Sequence, residues 1–301
     1  MHVDLPSGLR IEYERAGPPD APPILLIMGL GMQLVAWPPS LVEGLVARGF
    51  HVVRFDNRDA GLSTHLRDAP RVDVRTAAIR SMLGFAARPP YTLADMAGDA
   101  IGLLDALGIG RAHVVGASMG GMIGQVLAAD SPARVASLTS IMSSSGAPRF
   151  NFHWSPATRV LLTPPPKGAD EAALLDHMEK VWNAIGSPGL QPPREALRER
   201  LRASLRRAYD PSGVSRQLLA IMASGDRRPL LRRIAVPTLV MHGERDPLVP
   251  IAAGRDTAAH VPGARFVAVP GMGHDLPEAR VPSIVDEIAG HCGEAGRRAA
   301  A

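Results

Sequence analysis

His113-Val114-Val115-Gly116-Ala117-Ser118-Met119-Gly120-Gly121 is the stretch from which the rest of the chain is read. Its apolar opening fits a strand buried on both faces. A helical pattern over 119–129 follows with no spacer and stops before Pro132. The junction reads Gly-x-Ser-x-Gly, with Ser118 at its centre. A strand that runs straight into a helix needs a sharp turn. The serine at the tip is expected to hold a strained backbone with its hydroxyl presented outward. Glycine is expected at 116 and 120 because side chains there would collide across the turn.

Outward from this turn, strands and helices alternate. Strand patterns cover 9–14, 24–28, 51–55, 112–117 and 135–142. Helical patterns cover 41–48, 93–107 and 119–129. The alternation resumes after Pro237, with strands over 238–242 and 264–269 and helices over 251–260 and 281–291. Such alternation predicts an α/β fold with a mostly parallel sheet and helices on both faces. Ligands of such sheets bind at the carboxyl ends of the strands. Between 143 and 229 the strand signal disappears. Prolines cluster at 164–166 and 192–193, and helical patterns cover 171–184, 194–209 and 214–223. The division expected is a core of 1–142 and 230–301, with 143–229 inserted as a helical cap. The tail beyond Gly293 is expected to fray.

The chain has 301 residues, 46% hydrophobic and 21% charged, as one α/β domain with an insertion would. Its single cysteine, Cys292, cannot form an internal disulfide. The first residues lack the basic-then-apolar pattern of a signal peptide, and no apolar run approaches the roughly 18 residues of a membrane span. A cytoplasmic location is the expectation. The net charge of +4 raises the question of nucleic acid. Yet Arg194, Arg198, Arg200, Arg202, Arg206 and Arg207 interleave with Glu195, Glu199, Leu197, Leu201 and Leu205. That is the solvated face of an amphipathic helix, so no nucleic-acid partner is expected. A homodimer is left open.

A serine hydroxyl needs a base to take its proton. His274, in Gly271-Met272-Gly273-His274-Asp275, follows the strand at 264–269 in a loop suited to reaching over the strand ends. His51 and His113 begin strands, the wrong end. His242 reads as a turn residue, and His153, His177 and His260 fall in the cap or a helix. The base in turn needs a carboxylate to fix its tautomer. Asp246, in Gly243-Glu244-Arg245-Asp246-Pro247, is the candidate, with Glu244 and Asp275 read as solvated loop acids. An oxyanion would be met by two backbone amides. One is that of Met119, at a helix N-terminus. The other is assigned to Leu30, in the glycine-flanked loop Met28-Gly29-Leu30-Gly31.

The turn around Ser118, the loop Asp56-Asn57-Arg58-Asp59-Ala60-Gly61-Leu62-Ser63, the acid turn 243–246 and the Gly273-His274 loop together resemble the α/β-hydrolase superfamily of serine hydrolases. The order Ser118, Asp246, His274 agrees with that resemblance. Within the superfamily the chain looks most like the aclacinomycin methylesterase type and related small esterases and lactonases. The resemblance implies an eight-stranded, mostly parallel sheet, a small-molecule ester substrate, no metal and no organic cofactor. Many relatives carry His-Gly before the oxyanion loop, where this chain has Met28-Gly29. Donors from the backbone should survive that change. Serine at 118 sets the chain apart from the aspartate-based dehalogenases and epoxide hydrolases.

Apolar residues that follow strand ends or enter the cap are the expected pocket walls: Leu30, Trp37, Met119, Met142, Phe150, Trp154, Leu248 and Leu276. Arg58 reads as a loop brace or a carboxylate clamp. The expected reaction is hydrolysis of small to medium apolar esters through an acyl-enzyme. Lactone hydrolysis, perhydrolase or haloperoxidase-like chemistry, carbon–carbon bond hydrolysis and a non-catalytic binding role stay open.

Overall fold

The computed structural model describes residues 1–69, 89–151, 155–166 and 168–300, with side chains to residue 297 apart from that of residue 151. The strands are β1 (His2–Asp4), β2 (Arg10–Ala16), β3 (Pro23–Ile27), β4 (His51–Phe55), β5 (Ala112–Ala117), β6 (Val135–Ile141), β7 (Thr238–Gly243) and β8 (Arg265–Val269). They form one eight-stranded sheet in the order β1-β2-β4-β3-β5-β6-β7-β8. Both pairings of β2, with β1 and β4, are antiparallel; β4, β3, β5, β6, β7 and β8 run parallel. The α/β-hydrolase arrangement expected from the sequence is what the chain forms.

The parallel strands are apolar throughout because helices cover both faces. Alternate residues of β3 show this. Leu25 and Ile27 join a cluster with Val114, Leu138, Leu103 and Ile123 on one face. Ile24 and Leu26 join Val115, Leu41, Leu45 and Ile284 on the other. The first face carries α2 (Leu93–Ala106) and α3 (Met119–Asp130), and the second carries α1 (Pro39–Ala47) and α11 (Val281–Ala300). The start of α2 is fixed by a capping box. Asp95 N–H donates to Thr92 Oγ1, and Thr92 N–H donates back to Asp95. The tail expected to fray is helical to residue 300. Ile288, Cys292 and Ala295 are buried along it, so packing extends the helix past Gly293.

Between β6 and β7 the described residues form only helices: α4 (Pro148–Asn151), α5 (Pro156–Leu161), α6 (Glu171–Ile185), α7 (Arg194–Arg207), α8 (Pro211–Ser224) and α9 (Arg228–Leu231). The last core helix before β8 is α10 (Ile251–His260). Helices α6 and α7 share a small core of Leu175, Leu197 and Leu201. The arginines of α7 pair with acids of α6: Arg194 and Arg198 with Glu179, Arg206 with Glu171. No helix among the described residues is long and apolar enough to cross a membrane.

Candidate active site

Ser118 sits between β5 and α3 at φ 53°, ψ −116°, a left-handed conformation that a serine adopts at a cost. The surroundings compensate by satisfying its backbone. Ser118 N–H donates to Ile141 O at 2.9 Å, and Ser143 Oγ donates to Ser118 O at 2.8 Å. The flanking glycines are required by space. A Cβ at Gly116 would stand 2.2 Å from Gly120 O, and one at Gly120 would stand 2.0 Å from Ile27 O.

His274 and Asp246 come from the loops after β8 and β7; His274 reaches Ser118, and Asp246 reaches His274. His274 Nε2 lies 3.0 Å from Ser118 Oγ, and His274 Nδ1 lies 2.7 Å from Asp246 Oδ2. Three residues far apart in the chain thus form one hydrogen-bonded line at the carboxyl ends of β5, β7 and β8. Asp246 Oδ1 accepts from the amides of Leu248 and Val249, at 2.9 and 2.8 Å. Burial alone would raise the Asp246 pKa. The facing His274 and His242 outweigh it and hold the carboxyl well below the ordinary range. Asp246 is therefore anionic and faces Nδ1, the geometry in which an imidazole keeps Nε2 turned to the serine.

The loop after β3 also arrives here. A Cβ at Gly29 would be 3.2 Å from Ser118 Cβ and 3.8 Å from Oγ, so a side chain there would crowd the hydroxyl. Leu30 is next in that loop, and Met119 opens α3. Among the described residues neither the Leu30 nor the Met119 amide donates to a protein acceptor. Free amides are the rule in the first turn of a helix. Asn57 Nδ2 donates to Met28 O at 3.0 Å and braces the loop from below.

The other sequence-derived positions divide. Leu30, Phe150, Leu248 and Leu276 are half-buried, with Leu30 and Leu276 packed against the two core clusters. Trp37 is a correction. It is fully buried in the core cluster with Leu41, Leu45 and Ile284, because α1 and α11 close over it. The Met119 side chain is likewise spent in the opposite core cluster, leaving only its amide toward the site. Met142 directly follows β6 at φ 43° and is 5% exposed, packed into the core. Trp154 lies outside the described residues. Arg58 is a brace, since its guanidinium grips buried Asp99 through two bonds of 2.6 Å.

Two loop residues behave differently from their sequence reading. Asp275 is buried, not solvated. Its carboxylate accepts from the Ser187 amide and hydroxyl, and burial pushes its pKa up. His242 is a fully buried strand residue. Its Nε2–H points to Val249 O at 2.8 Å and lies 3.4 Å from Asp246 Oδ2. The partner of Asp275 is 88 residues away in another loop, whereas His242 is met by the loop that directly follows its own strand. Asp59, His65 and Asp210 are grouped closely enough to hold a cation, with their atoms within 4.8 Å. That place is already served by Arg216, which bonds both oxygens of Asp59.

Comparison with known proteins agrees with this geometry. Residues 22–279 match the family described as the alpha/beta hydrolase fold. The rhodomycin D methylesterase DauP of Streptomyces sp. (strain C5) is 32% identical over 92% of this chain and 93% of its own length. The putative carbamate hydrolase RutD of Variovorax paradoxus (strain S110) is 30% identical over 90% of this chain and 92% of its own. Among solved structures, the enol-lactonase of Burkholderia xenovorans LB400 superposes with a TM-score of 0.74 at 26% identity, covering 97% of this chain and 99% of that one. The chain belongs to the α/β hydrolase fold family, as a hydrolase of the esterase type.

Proposed function

We propose that this chain hydrolyses small to medium, uncharged, apolar carboxylic esters through an acyl-enzyme on Ser118. The observation that carries the reading is the unbroken line Ser118 Oγ, His274 Nε2, His274 Nδ1, Asp246 Oδ2. Ser118 Oγ attacks the ester carbonyl carbon as His274 Nε2 takes its proton. The carbonyl oxygen becomes an oxyanion facing the Leu30 and Met119 amides. As the tetrahedral species collapses, the carbon–oxygen bond to the alcohol breaks and His274 delivers the proton to the leaving oxygen. Water then repeats the sequence on the acyl-enzyme and frees the acid and Ser118. Asp246 stays ionised throughout and stabilises the imidazolium. Half-buried Leu30, Phe150, Leu248 and Leu276 support an apolar preference, and the helical segment 143–229 is read as the cover over them. The methylesterase relatives favour methyl esters, and the enol-lactonase likeness favours cyclic esters as a second group.

Labelling with a fluorophosphonate, followed by peptide mass mapping, tests the nucleophile. An adduct on Ser118 that disappears in Ser118→Ala is expected, and an unlabelled wild type overturns the reading. Turnover of p-nitrophenyl esters of graded chain length, methyl esters and lactones then defines the substrate. If every ester is inert while a vinylogous diketone is cleaved, carbon–carbon hydrolysis replaces ester hydrolysis.

A further inference from the structure

The loop that carries Leu30 is soft by composition, with glycine on both sides. It is fixed from the inserted helices. Gly31 N–H donates to Gln217 Oε1 at 2.7 Å, and Gln217 Nε2 donates to Arg58 O at 2.8 Å. Gln217 lies on α8 and is fully buried. Gly31 has φ 67°, and a Cβ there would stand 2.8 Å from Val214 Cγ2, one turn earlier on α8. Two residues further along the loop, Gln33 Nε2 donates to Ser204 O and Ala208 O at 2.8 and 2.9 Å, at the end of α7. The side chain of Gln217 thus joins two core loops, 29–33 and 56–58, through a helix that belongs to neither.

The Gly31 amide belongs to the peptide plane directly after the one that carries the Leu30 N–H. Holding the second plane limits how far the first can rotate. An oxyanion donor is effective only if it is aimed before the charge develops. We propose that Gln217 is the positioning residue of the oxyanion hole, aiming the Leu30 amide by holding Gly31 from the helical segment. The proposal rests on the acyl-enzyme reading above. It adds that the inserted helices set the rate of the chemical step as well as covering the site.

The test is Gln217→Met, which keeps the volume and removes both polar partners. Its kcat should fall roughly 10- to 100-fold, less than deletion of a donor. KM should stay within about twofold, because the ground-state carbonyl depends little on the hole. Inhibition by a trifluoromethyl ketone, whose hemiketal oxyanion needs the hole, should weaken by the same factor as kcat. The shape of the pH–rate profile should not change, since the imidazole is untouched. Gln217→Leu serves the same purpose should the methionine variant fail to fold. Leu219→Ala, on the same helix and without a bond to the loop, controls for general loosening. Unchanged kcat and ketone affinity in a folded Gln217 variant overturn the assignment. An equal loss in Leu219→Ala at matched stability overturns it too. A wild type that fluorophosphonate does not label overturns the hydrolase reading and this assignment with it. A labelled wild type with an indifferent Gln217 variant overturns this assignment alone.

Discussion

Gly120 lies so close to Ile27 that a methyl group on it would stand 2.0 Å from the Ile27 carbonyl oxygen and 2.9 Å from that of Met28. The first turn of α3 is therefore wedged against the end of β3. The loop after β3 then passes Ser118, where a Cβ on Gly29 would stand 3.2 Å from Ser118 Cβ. The wedge also gives a stability prediction. The atoms in the way at Gly120 are backbone, with no flexible side chain to yield. Gly120→Ala should lose about 3 kcal/mol or more, at the upper end of overpacking costs, read as a lower urea midpoint. Gly98 is the contrast. It lies in the middle of α2, and a methyl group on it would meet nothing within 4 Å. Gly98→Ala should gain about 0.5–1 kcal/mol. A Gly120→Ala midpoint equal to that of the wild type contradicts the wedge.

Asp246 makes a sharper test of the proposed chemistry than Ser118, because its removal leaves the proposed nucleophile in place. As an anion it accepts from His274 Nδ1. In Asp246→Asn the new side-chain amide would offer an N–H to that nitrogen and favour the wrong imidazole tautomer. The expected loss in kcat is about 10⁴-fold, with the fold intact. The rate of fluorophosphonate labelling should fall alongside it. A loss under tenfold would mean that another group orients His274, and Asp275 is the neighbour to examine first.

The sheet and the hydrogen-bonded line of Ser118, His274 and Asp246 were legible because their signals are local. Continuous apolar runs mark strands buried on both faces, and a Gly-x-Ser-x-Gly between strand and helix marks a turn that few other sequences tolerate. His274 and Asp246 each directly follow a strand, so the topology alone brings them to one end of the sheet. Antiparallel β1, only three residues long, was not legible, since Val3 is its one inward residue. The roles of Trp37, Asp275 and Gln217 were hidden for another reason. Each depends on a partner more than 80 residues away or on how helices close over it. An apolar residue after a strand end reads the same whether it lines a cleft or fills the core.

Arg216 and Asp59 form a buried bidentate pair, at 2.8 and 2.6 Å, that ties α8 to the loop after β4. Tyr91 adds a third bond to Asp59 at 2.7 Å. Arg216 is 6% exposed and Asp59 2%. Removing one partner leaves a charge stranded out of water. Arg216→Met should cost about 3–5 kcal/mol. The double variant Asp59→Leu, Arg216→Met should recover part of that loss, since no charge is then left alone. A double variant as unstable as the sum of its singles would show that the pair is not coupled.

His113 sits at the amino end of β5, opposite the site, 6% exposed and with Nδ1 2.8 Å from Ser137 Oγ. Burial, reinforced by His291 and Arg111, holds its pKa down to about 4. In the unfolded chain a histidine titrates near 6.5. Between these values the unfolded state binds a proton that the folded state refuses. Stability therefore falls as pH drops from about 6.5 toward 4, and the contribution is complete above that window. The most it can amount to is roughly 3 kcal/mol. Other groups titrate over the same range, so the measurable quantity is the difference between wild type and His113→Asn. Chemical denaturation at pH 7.5 and pH 4.5 should show a shallower pH dependence in the variant. Because the residue is at the far end of the strand from Ser118, the pH profile of activity in the folded range should coincide for the two proteins. Parallel stability curves would mean that His113 is protonated in the folded chain and that its surroundings supply an anion to receive the charge.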